Sequence, residues 1–100
     1  MNESPSGHSW HKAVHMTVRG LVQGVGFRYY ARASAQRFGV AGWVCNAEDG
    51  SVEIWAEGTD DRLKQFMQAI HRGPSHSQVR EVDVAWKPAL GTFGSFLIRD

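Results

Sequence analysis

The chain has 100 residues, 42% apolar and 21% charged, with eleven basic and ten acidic side chains and a net charge of +1. That length holds one domain and one core, and the composition excludes wholesale disorder, a collagen repeat and a coiled coil. The even charge argues against duplex DNA or an anionic membrane as partner, and no apolar run approaches the ~18 residues that span a bilayer.

Residues 1–11 are polar and aperiodic. They lack the basic start and apolar core of a secretory signal, so they read as a mobile N-terminal tail before a domain over 12–100. From Lys12 to Gly20, Val14, Met16 and Val18 alternate with His15, Thr17 and Arg19. Strict alternation predicts a strand with one buried row. A loop with Gly20, Gly24 and Gly26 follows. The period then changes: Phe27, Tyr30, Ala31, Ser34, Ala35 and Phe38 form one helical stripe, closed by Gly39. The spacing predicts a helix over Phe27 to Phe38.

Val40 to Ala47 reads as a strand, and Asp49-Gly50 is a strong hairpin signal leading to a return strand from Ser51 to Glu57. Val52, Ile54 and Ala56 face one way there; Glu53, Trp55 and Glu57 face the other. Thr59 is a good N-cap, Asp60 and Asp61 suit the first helical turn, and His71, Arg72, Gly73 and Pro74 form a helix stop signal. A second helix is predicted over Asp60 to Arg72, then a strand over Val79 to Trp86 and a short one over Ser95 to Arg99. This order predicts an α+β, ferredoxin-like split βαβ sandwich: an antiparallel sheet of four strands plus a short C-terminal strand, with two helices on one face. The other face would be partly wet, with Arg19, Glu53 and Glu57 in its rows.

The loop from Gly20 to Arg28 joins a strand to a helix. Helix N-termini present unpaired N–H groups and partial positive charge, glycines let those groups converge, and an arginine adds a fork of donors matched to phosphate. A phosphate cradle is chemically coherent here; on spacing alone, a tight turn with a solvated Arg28 stands beside it. An ATPase-type loop is absent, and Tyr29 occupies the third small position of a dinucleotide loop. Asn46, near the end of the second strand, could orient a water or simply flank the turn.

The remaining candidates read as structural. His11 and His15 would lie about 13 Å apart on a strand at ~3.3 Å per residue, too far to share a metal ion. Cys45 is the only cysteine, so no internal disulfide or four-thiolate site forms, and a reducing cytoplasm is the expected location. It has no spaced histidine and acid to make it a nucleophile. Trp43, Trp55 and Trp86 read as sheet cover, and the hairpin strand is acidic where an RNA-binding strand is basic.

Val18-Arg19-Gly20-x-Val22-Gln23-Gly24-Val25-Gly26-Phe27-Arg28, followed by Gly42-Trp43-Val44-Cys45-Asn46, resembles the acylphosphatases from about Lys12 to Arg99. The resemblance implies the ferredoxin-like fold and metal-independent, cofactor-free hydrolysis of acyl phosphates to a carboxylate and inorganic phosphate. It implies that Arg28 and the N–H groups of Gln23, Gly24, Val25, Gly26, Phe27 and Arg28 hold the phosphoryl group, and that Asn46 orients the attacking water. Phosphoryl transfer needs mostly positioning and charge stabilisation, so a domain without an acid/base pair can perform it. Two features depart from the family: Cys45 stands where members often carry a basic residue, which would weaken attraction of an anion, and the histidine-bearing tail has no counterpart. The alternatives are a non-catalytic anion-binding module and a carbamoyl-phosphate-handling domain like the N-terminal module of hydrogenase-maturation proteins. The expected partner is a small-molecule acyl phosphate, with no nucleic acid or membrane, and the expected state is a monomer.

Overall fold

The structure is a computed structural model and describes residues 11–100. The tail expected over 1–11 falls outside the described residues except for His11. Seven elements follow in order: β1 (Lys12–Leu21), α1 (Phe27–Phe38), β2 (Ala41–Asn46), β3 (Val52–Gly58), α2 (Asp60–Arg72), β4 (Gln78–Pro88) and β5 (Phe96–Arg99). Both helices have the bounds that their apolar stripes predict. The strands differ by one or two residues at their ends. Val40 is held by the preceding helix, its N–H donating to the Ala35 carbonyl at 3.0 Å, and so does not join β2.

The sheet order is β4-β1-β3-β2-β5. β1 lies antiparallel to both β3 and β4, and β2 is antiparallel to β3 across the Asp49-Gly50 turn. The short last strand pairs parallel to β2, so the sheet is mixed at that edge. Alternation puts Val14, Met16, Val18, Val44, Val52, Ile54 and Ala56 in one buried layer. Phe27, Ala31 and Ala35 of α1 and Leu63, Phe66 and Ile70 of α2 close over it. Each helix has one apolar stripe, so two helices cover one sheet face and bury a single core.

α2 closes its own N-terminus. Thr59 accepts from the Arg62 N–H, and Asp60 and Asp61 fill the first turn. Asp60 pairs with Lys64 at 2.9 Å, whose ammonium holds its carboxyl below the usual value.

On the open face, Trp43 and Trp55 flank His15 with ring centroids 6.4 Å away in each case. His15 meets Glu53 at 2.7 Å, and the Arg99 guanidinium sits over Trp43. Trp86 is more exposed, with the Lys12 ammonium over its ring. Glu57 departs from the wet row expected of it and is only 6% exposed. Its Oε2 accepts from Trp55 Nε1 at 2.7 Å and the Leu90 N–H at 2.8 Å, and its Oε1 from the Gly91 N–H at 3.0 Å. Burial pushes this carboxyl up, but the three donors and the nearby His11 outweigh burial and hold it below its ordinary value. Glu57 thus fastens the segment that carries the chain from β4 to β5.

Candidate active site

The turn between β1 and α1 is shaped by two glycines. Gly24 and Gly26 have φ of 77° and 79°, left-handed values that L side chains rarely adopt. A Cβ at either position would meet nothing within 4 Å, so backbone conformation, not crowding, calls for glycine. Gly26 is the N-cap of α1, and its carbonyl accepts the first helical bond, from Tyr30 N–H at 3.0 Å. No side chain caps this helix and no acidic residue lies in its first turn. α1 therefore differs from α2: its first N–H groups and the positive end of its dipole face an opening rather than a carboxylate.

That opening is a cavity of about 90 Å³ lined by Val22, Gly24, Gly26, Phe27, Arg28, Tyr29 and Asn46. A water needs about 10–15 Å³ of such space, so the cavity has room for several waters, a scale suited to a small tetrahedral anion. β2 supplies Asn46 from across the sheet. Gly42, Val44 and Asn46 share the helix-side face by alternation, while Trp43 and Cys45 point the other way. Asn46 closes the strand in register with Val52, immediately before the turn. Arg28, on the first turn of α1, is 31% exposed, and its Nη1 stands 3.9 Å from the fully exposed Asp100 carboxylate. A pair that long and that exposed contributes little, so the guanidinium remains available to a better-placed anion.

The site residues predicted from the sequence thus divide. Gly24, Gly26, Phe27, Arg28 and Asn46 line one cavity. Gln23 and Val25 do not line it. Val25 packs against the core, and the Gln23 amide donates to the carbonyls of Ala47 at 2.7 Å and Ser51 at 2.8 Å. Val22 and Tyr29 also line the cavity and were not among the residues expected there. Tyr29 carries one of the unpaired N–H groups that every helix start exposes, a signal that was present in the sequence. Cys45 is on the opposite sheet face from Asn46. Burial, and then Glu53, push its thiol pKa up, which disfavours the reactive thiolate. Among the described residues, no three His, Cys, Asp or Glu side chains are close enough to hold a metal ion, and no helix is long and apolar enough to cross a membrane.

A second cavity, of about 600 Å³, is larger but lies elsewhere. It is lined by Gln36, Gly39, Glu57, Phe93 and Phe96 among others, at the C-terminal end of α1. Twelve helical residues at 1.5 Å each separate the two ends of α1 by roughly 18 Å. An anion there would meet the negative end of the helix dipole and the Glu57 carboxylate, so the chemistry indicated by Arg28 belongs to the smaller cavity.

Residues 14–98 match the family model described as Acylphosphatase. A protein of Salinibacter ruber named Acylphosphatase is 46% identical over 88 residues, covering 88% of this chain and 93% of that one. The crystal structure of an acylphosphatase from Bacillus subtilis superposes with a TM-score of 0.86 at 38% identity, covering 89% of this chain and 99% of that one. Full-length HypF, in a phosphate- and nucleotide-bound form, is also similar, with a TM-score of 0.83 and 28% identity; the match covers 90% of this chain but 12% of HypF.

Proposed function

Since the chain belongs to the acylphosphatase family, and so hydrolyses the carboxyl–phosphate bond of an acyl phosphate, we propose that the small cavity at the start of α1 is where it does so. The phosphoryl oxygens sit against the N–H groups of Gly24, Gly26, Phe27 and Arg28, at the positive end of α1. The Arg28 guanidinium supplies paired donors to two of those oxygens. The observation supporting this reading is that Arg28, the uncapped helix start and Asn46 share one cavity wall.

The Asn46 side-chain carbonyl accepts a hydrogen bond from a water and holds it on the phosphorus. The water oxygen forms the new P–O bond as the bond to the acyl oxygen breaks, and the carboxylate leaves with its electron pair. The water's proton passes to a phosphoryl oxygen. No side-chain acid is needed, because a carboxylate is already a good leaving group. Arg28 and the N–H groups carry the electrostatic part and Asn46 the positioning part. The reaction needs no metal on this reading. Cys45 would not cost the cradle a directly contacting cation, because it lies on the other sheet face.

We infer further that the chain acts as a monomer in the cytoplasm without nucleic acid, a reading supported by its single cysteine and its net charge of +1.

The test separates the two roles. Arg28→Ala is expected to lose both inorganic-phosphate binding and turnover; Asn46→Ala is expected to lose turnover and keep phosphate binding. Equal loss of phosphate affinity in both variants would contradict the assignment. Asn46→Ala with undiminished turnover would favour a cradle that needs no positioned amide.

A further inference from the structure

Gln23 stands inside the cradle loop, yet its side chain turns away from the cavity. Its amide nitrogen has two N–H donors, and both are used: one on the Ala47 carbonyl at 2.7 Å, the other on the Ser51 carbonyl at 2.8 Å. Those carbonyls flank the neck of the β2–β3 turn. They are already engaged with the backbone, Ala47 accepting from the Gly50 N–H at 3.2 Å and Ser51 from the Ala47 N–H at 2.9 Å. Each carbonyl has two lone pairs, so each takes a second donor without giving up the first. The turn could close without Gln23. What Gln23 adds is a two-point tie between two segments that are 24 and 28 residues apart in sequence.

The position of the tie matters because Asn46 directly precedes Ala47 and is the last residue of the β2 ladder. Beyond it the strand ladder stops, and the Ala47 N–H to Ser51 carbonyl bond closes the neck of the turn. On the other side, Gln23 directly precedes Gly24, which lines the cavity. From these contacts we infer that Gln23 is a positioning residue for the hydrolysis: its amide sets the distance between the loop that holds the phosphoryl group and the asparagine that holds the water. The inference rests on the role proposed for Asn46. Gln23 does not touch the phosphoryl group through its side chain, because its donors are spent and its remaining amide oxygen would repel an anion.

The variant of choice is Gln23→Met, which keeps the length and removes the donors. Both carbonyls keep their backbone partners, so the variant should fold, and its melting transition checks this. Should that transition be lost, Gln23→Leu carries the same comparison, since it also removes the donors and adds no charge to the loop. Using benzoyl phosphate as substrate and inorganic phosphate as competing ligand, kcat is expected to fall roughly 10- to 100-fold, the scale of an ångström-sized misplacement. Inhibition by phosphate should stay near that of the wild type, because the cradle is intact. A merely structural role would lower the melting temperature without splitting kcat from phosphate affinity.

The double variant Gln23→Met/Asn46→Ala should turn over no more slowly than Asn46→Ala alone, since Gln23 acts through Asn46. Wild-type kcat in Gln23→Met, losses that multiply in the double variant, or a loss of phosphate affinity as large as in Arg28→Ala would each overturn the inference. The failures are distinguishable. A collapse of turnover in Asn46→Ala beside unchanged Gln23→Met removes only the tie. Undiminished turnover in Asn46→Ala removes the catalytic role of Asn46, and the tie with it.

Discussion

Replacing Glu57 with glutamine tests whether a buried carboxylate fastens the β4–β5 segment. Glutamine keeps the shape and one acceptor oxygen. With that oxygen on the Oε2 side, the Trp55 and Leu90 bonds survive as neutral ones, and the Gly91 N–H faces an amide NH₂ instead of an oxygen. Hydrogen bonds to charged groups contribute about 1.5–3 kcal/mol and neutral ones about 0.5–1.5. Two weakened bonds and one lost bond therefore sum to roughly 3.5–6 kcal/mol. Relief from burying a charge offsets part of this, leaving a net loss of about 2 kcal/mol at neutral pH. For a domain of about 100 residues that lowers Tm by roughly 8–16 °C.

The pH dependence carries the sign. The carboxyl is held below its ordinary value in the folded chain. Its contribution is thus present above the unfolded carboxyl's range of about 4.3 and is lost as pH falls through the lower folded value. Thermal or urea melts of both proteins from pH 7 down to pH 3 should give a gap that is constant at neutral pH and closes in acid. The other carboxylates are common to both proteins and cancel in the difference. No gap at pH 7, or a gap that persists unchanged into acid, would refute the reasoning.

Gly26→Ala should lower stability by about 1–2 kcal/mol, the cost of a Cβ at a left-handed position. No steric clash adds to it. Any relaxation of φ also swings the Phe27 N–H out of the cradle, so phosphate titration should show weakened binding, and wild-type affinity would contradict the backbone's role there. Phe66→Ala empties the centre of the core, where the ring is fully buried and lies 5.8 Å from the Phe96 ring. The expected loss is about 3–5 kcal/mol, read as a shift in urea midpoint, with no change in the phosphate affinity of the protein that remains folded.

Much of this fold was legible because local signals coincide. The stripe from Phe27 to Phe38 ends on Gly39, whose φ of 72° is the left-handed cap that the sequence suggested. Thr59, Asp60 and Asp61 marked the start of α2 in the same way. The parallel pairing of β5 with β2 was not legible, because four residues with two outward-facing neighbours carry no record of their partner's direction. Glu57 was misjudged for a related reason. Alternation assigns a residue to a sheet face, but it does not say whether a later loop will cover that face, and the Leu90 and Gly91 N–H groups arrive from 33 and 34 residues away.

The shape of the candidate site was legible where backbone chemistry dictates sequence. Positive φ requires Gly24 and Gly26, an open helix start lacks a capping side chain, and Arg28 follows them. The side-chain partners of Gln23 were not legible. An amide inside a phosphate loop looks like a donor to the ligand, and only the turn of β2 and β3 beside it supplies two carbonyls at the right spacing.

The most direct test of the account is hydrolysis of benzoyl phosphate by the purified protein in excess EDTA, with Asn46→Ala in parallel. The account predicts wild-type turnover that survives the chelator and collapses in the variant. Turnover that EDTA abolishes, or that the variant retains, would contradict it.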